Sequence, residues 1–173
     1  MKKLSFVAVL TVIILFVSCG TINNGATTST TNTSGISTTS QAYTSGRGFG
    51  TSLTALYNSY KTAGKLNLND ATNLLNLASL ATYASAIKGN AKNTTFYKEF
   101  AAGAVASSNV ITTNNIASII SSVINTDINS IVNAARSSNN TNTNTNTNTN
   151  TNSNTAAAVN TLTSVLNAMN NAK

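Results

Sequence analysis

From Ile116 to Ala135 the apolar residues recur every three or four positions: Ile116, Ile119, Ile120, Val123, Ile124, Ile128, Ile131, Val132 and Ala135. That period sets the fold. At 100° per residue the nine crowd one side of a helix, while Ser118, Ser122, Asn125, Asn129 and Asn133 fall on the other. A strand would need strict alternation, which is absent, so the β-branched residues do not turn the reading toward β-structure.

Three earlier runs repeat the pattern. Leu53, Leu56, Tyr57 and Tyr60 share a face that Gly64 closes, glycine being the residue that ends a helix in a left-handed turn. Asn69 is expected to cap a second helix, carrying Leu74, Leu75, Leu77, Ala78, Leu80, Ala81, Ala84 and Ile87 and ending at Gly89. A third follows Thr94-Thr95 with Phe96, Tyr97, Phe100, Ala101, Ala104 and Val105. Near the end, Val159, Leu162, Val165, Leu166 and Met169 form one more amphipathic helix, whose apolar face needs cover from the others or from a partner. The expected fold is all-α: a small bundle of four to five short amphipathic helices. The helical domain is placed at residues 51–137 and the C-terminal helix at 156–173.

Two stretches lack any period. Residues 19–50 are rich in Thr, Ser, Asn and Gly and are expected to form a disordered tether, since isolated apolar residues cannot offset chain entropy. Residues 138–155 hold an Asn-Thr repeat, expected to be a spacer, with stacking into polar β-structure as the alternative. Gly46-Arg47-Gly48-Phe49-Gly50 is read as linker. A phosphate-cradling loop would need a preceding strand and a closing Gly-Lys-Ser/Thr.

The chain has little reactive chemistry. It contains no His, one Cys and three acids (Asp70, Glu99 and Asp127) among 173 residues. Without imidazole there is neither a Ser-His-Asp triad nor a His metal ligand. No catalytic, cofactor-binding or metal-binding residue is assigned, and the chain is not expected to be an enzyme. A pocket joining Asp127 with Glu99 or Asp70 would reopen that question. Asp70 and Glu99 are read as helix-start acids meeting the positive end of the dipole, Glu99 at the surface. Asn67-Leu68-Asn69-Asp70 lacks the Gly and Glu of a calcium loop. Tyr57, Tyr60, Tyr83 and Tyr97 are core residues with wet hydroxyls by default; a stacking platform is the alternative.

Asp127 falls inside the isoleucine stripe, where a lone buried carboxylate would be costly. Three readings are open. The helix breaks at Asn125-Thr126 and Thr126 or Asp127 caps a new turn, or the side chain lies at an open edge, or it is a paired buried site. The net charge of +7 is spread thinly, without the clustered stripe of a nucleic-acid binder. No nucleic-acid partner is expected.

The N-terminus carries the most specific motif. Lys2-Lys3 precede an apolar stretch of about 14 residues, Leu4 to Val17, too short for a spanning helix of ~20 residues. It ends in Phe16-Val17-Ser18-Cys19, which resembles the lipobox of bacterial lipoproteins, with Phe16 where Leu is commonest. The resemblance implies that residues 1–18 are a signal peptide and that Cys19 is the lipidation site. Its acyl chains would make the membrane the first partner. Gly20, in place of the Asp that often marks inner-membrane retention, implies the outer membrane. The leaflet stays open. As a whole the chain is similar to small Asn/Thr-rich lipoproteins of Bacteroidota-type bacteria. The expected role is a lipid-anchored cell-envelope protein of structural or interaction type with an envelope or surface partner. A groove between helices that binds a ligand or partner, and a C-terminal helix that inserts into membranes, are the alternatives.

Overall fold

The computed structural model describes residues 35–139 and 150–170, and these form an all-α bundle. Six helices follow one another: α1 (Gln41–Ala63), α2 (Ala71–Gly89), α3 (Thr94–Ala106), α4 (Ile116–Asn125), α5 (Ile128–Asn139) and α6 (Asn150–Asn170). The apolar stripes read from the spacing face one core, except that Leu75 and Tyr97 stand exposed. Phe49, Leu53, Leu56, Leu77, Leu80, Phe100, Ile120, Ile131, Leu162, Leu166 and Met169 are wholly buried in it.

Helix α1 begins ten residues before the expected domain boundary and runs through the stretch read as tether. Ser40 caps it, accepting the Tyr43 N–H at 3.0 Å. The glycines that looked like linker are where α3 approaches. A Cβ on Gly46 would stand 2.0 Å from the Phe100 carbonyl oxygen, one on Gly50 2.4 Å from that of Ala104, and one on Gly103 2.1 Å from that of Tyr43. The Thr54 and Ser108 hydroxyls then meet at 2.7 Å. The pairs 46/100, 50/104 and 54/108 advance together, so α1 and α3 pack side by side in parallel, with backbones in contact where side chains would normally separate them. Phe49 fills the space beside this seam, its ring 5.3 Å from that of Phe100.

Helix α2 runs the other way. Asn73, near its start, donates to the Ser59 hydroxyl late in α1, while Tyr83, near its end, lies against Gly48 early in α1. The start of α1, the end of α2 and the start of α3 therefore share one pole of the molecule. Gly64 stops α1 as expected, at φ 69° with its N–H on the Tyr60 carbonyl at 2.8 Å. The cap of α2 is Asp70 rather than Asn69, its carboxylate taking the Asn73 N–H at 2.9 Å.

The long isoleucine run is cut into α4 and α5, which makes six helices among the described residues. Thr126 turns extended, at ψ 132°, with its hydroxyl on the Ser122 carbonyl, and Asp127 starts α5. Helix α6 lies back on α5 and α4, burying Ala158, Leu162, Val165, Leu166 and Met169. Tyr57 ties its end down, donating to Asn170 Oδ1 at 2.9 Å. Helix α5 extends to Asn139 and α6 starts at Asn150, so both reach into the residues assigned to the spacer, and α6 begins six residues before the expected helix. Residues 140–149 of the repeat lie outside the described residues, as do 1–34 and 171–173.

Polar faces are satisfied locally. Asn76, Ser79, Thr82, Ser85, Ser137, Thr161 and Ser164 each donate to the carbonyl four residues back. Such back-bonding satisfies a helix surface without charged side chains.

Candidate functional site

The three carboxylates are the natural starting points for any site, and each is engaged in holding the fold. Asp70 caps α2. Asp127 is exposed, immediately before α5; its Oδ1 accepts the Ser130 N–H at 3.2 Å and its Oδ2 the Ser130 hydroxyl at 2.6 Å. These bonds from Ser130, helped by the positive charge of Lys88, hold its pKa below the ordinary 3.8 against a small opposing effect of burial. Of the three readings of Asp127, the structure takes the helix break with Asp127 as cap. The side chain is not buried within the stripe.

Glu99 corrects its reading as a surface residue. It is 9 % exposed, and its Oε1 accepts the Ser37 backbone N–H at 3.2 Å, tying the first described residues onto α3. The spacing held a signal: Glu99 lies three residues after Phe96 and four before Gly103, on the face that packs.

These acids do not converge on a pocket. Asp70 stands before the first residue of α2, whereas Asp127 lies close enough to feel Lys88 in its last turn. The 19 residues of α2 span about 28 Å. Among the described residues, no three of His, Cys, Asp or Glu gather as a metal-binding group.

Two hollows open on the described surface. One, at the junction of α1 and α2, is lined by Asn58, Ser59, Thr62, Ala63, Asn67, Asp70 and Asn73. Several of its polar groups are already committed to one another. Asn73 is buried and donates to Ser59 Oγ and to the Asn67 carbonyl, both at 2.9 Å, and Asn67 Oδ1 accepts the Asn69 N–H at 3.1 Å. The Asn67–Asp70 stretch is thus a capping network rather than a ring of inward-facing oxygens. The other hollow lies at the opposite pole, between the end of α2 and the start of α3, and is lined by residues 88–94 with Lys88 and Lys92 among them. Sequence reasoning missed it, because these residues were read only as the end of one helix and the start of the next.

The tyrosines do not make one platform. Tyr57 is 2 % exposed and bonded to Asn170, Tyr83 is half-buried against Gly48, and Tyr97 stands 37 % exposed on α3. Cys19, the expected lipidation site, lies outside the described residues. No helix among those residues is long and apolar enough to cross a membrane. Compared with family models, curated proteins and solved structures, the chain matches none.

Proposed function

We propose that the chain is an envelope lipoprotein, held by acyl chains on Cys19 and presenting a small helical bundle that acts through contacts rather than catalysis. The observation that carries this reading is the N-terminal pattern: Lys2-Lys3, the apolar run and Phe16-Val17-Ser18-Cys19. Two or three acyl chains anchor stably, each buried CH₂ contributing about 0.8 kcal/mol. The bundle supports the reading in a second way. Ser37, among its first described residues, is fastened to Glu99 on α3. In this reading residues 20–34 join the lipidated Cys19 to the bundle. Gly20 favours the outer membrane, and the sparse chemistry favours an interaction role with an envelope or surface protein.

Metabolic labelling with an alkyne-bearing palmitate tests the anchor. The wild-type chain is expected to take the label and to partition with detergent. Cys19→Ala is expected to lose the label and change its fractionation. If Cys19→Ala labels and fractionates like wild type, the reading is wrong. Protease shaving of intact cells, with a tag after Lys173, then assigns the face: loss of the tag places the bundle outside the cell, and its survival places it in the periplasm.

A further inference from the structure

We infer that the pole formed by the end of α2 and the start of α3 is the surface on which the bundle rests against anionic lipid headgroups. The inference builds on the anchor at Cys19 and adds an orientation to it. Its first support is where the chain leaves the bundle. The Ser37 N–H is held by Glu99, in the second turn of α3, so the first described residues, those nearest Cys19 in the chain, lie at this pole.

The second support is what the pole displays. Lys88, Lys92 and Lys98 are all exposed there, and Lys88 and Lys92 line an open hollow of about 620 Å³. Tyr97, one of the two large apolar side chains that stand exposed among the described residues, sits beside Lys98. Lysines around a tyrosine suit a headgroup layer, where the ring lies at the apolar boundary and the ammonium groups reach phosphate. Of the two carboxylates at this end, Glu99 is buried on Ser37, while Asp127 is exposed and ionised, so three exposed lysines face one exposed carboxylate and the surface keeps an excess of positive charge. Lys61 and Lys65 lie at the other end of α1, away from the tether.

Lysine footprinting tests this. The chain from Cys19 onward, coupled through that single cysteine to a maleimide lipid, is placed on vesicles of phosphatidylcholine alone or with about one third phosphatidylglycerol, and its amines are acetylated over time. On the anionic vesicles Lys88, Lys92 and Lys98 are expected to react up to about 30-fold more slowly than Lys61 and Lys65, the factor that two net charges near such a surface contribute. The protection is expected to vanish at about 0.5 M salt, where screening acts within ~4 Å, and in Lys92→Gln/Lys98→Gln for the remaining Lys88. Equal rates at both poles, or protection that is the same on both kinds of vesicle, overturn the proposal. Because the anchor in this experiment is chemical, its outcome does not depend on whether Cys19 is acylated in the cell. Palmitate labelling decides that separately.

Discussion

The residue with the most informative surroundings is Asp127, because it decides where one helix becomes two. Its carboxylate accepts twice from Ser130, and loss of such a cap costs about 1 kcal/mol. Asp127→Ala is therefore expected to lower the stability measured by urea unfolding at neutral pH by about that amount. The pH dependence has a definite sign. The folded-state pKa lies below 3.8, first through the Ser130 side chain and then through its backbone N–H, so the charged form is the one that folding favours. The contribution is present above the unfolded pKa and is lost as pH falls below about 4 and through the folded value. Melting curves of wild type and Asp127→Ala should therefore differ at pH 6 and converge near pH 2. A gap of constant size across that range would show that the charge is not what stabilises the turn. Asp127 also marks a limit of reading from pattern. Its place on the wheel was legible, and so was the alternative of a helix break. Choosing between them needed the ψ of Thr126, which follows from how α4 and α5 pack and not from local spacing.

At the scale of the element, the seam between α1 and α3 shows most clearly what composition hides. Glycine is the worst helix former after proline, costing up to 1 kcal/mol against alanine, so Gly46, Gly48 and Gly50 in ten residues look like a linker. They are helical because α3 comes so close that a side chain at Gly46 or Gly50 would enter its backbone. The cost in propensity is offset by contact that no larger residue permits. This makes a contrast among substitutions. Gly46→Ala, Gly50→Ala and Gly103→Ala each push a methyl to between 2.0 and 2.4 Å of a backbone carbonyl or its neighbour, and should destabilise by about 2 kcal/mol or more, as overpacking does. Gly48→Ala meets only the outer end of the Tyr83 side chain, which can move, and Gly89→Ala meets nothing within 4 Å. Both should be near neutral, and Gly89→Ala stabilising by up to about 0.5 kcal/mol. Equal losses at Gly46 and Gly89 in thermal melts would mean that the close approach is not what holds α1 to α3. The helices with apolar stripes were legible from spacing alone, since Leu53, Leu77, Phe100, Ile120 and Leu162 all point where the wheel sends them. The first half of α1 was not, because its reason to be helical lies in another helix.

For the whole molecule the decisive contact is that of α6, joined to the rest through the Asn-Thr repeat. It supplies Leu162, Leu166 and Met169, all wholly buried, to a core that α4 and α5 would otherwise leave open on that side. Ending the chain at Asn139 should therefore expose Ile120 and Ile131, raise binding of a hydrophobic dye and lower the melting temperature by well over 10 °C, each lost buried leucine-sized side chain being worth about 2 kcal/mol or more. The repeat itself should matter far less. A spacer contributes loop-closure entropy that grows with the logarithm of its length, so doubling residues 140–149 should cost only about 0.6 kcal/mol. The two changes touch neighbouring residues yet differ several-fold in effect, and that difference separates a connection from a structural element. A repeat that took part in the fold would make the doubling as damaging as the truncation. A repeat that only connects would leave the bundle free to vary in the length of this segment while α6 keeps its seat, with Tyr57 bonded to Asn170 at the far end of the molecule from the tether.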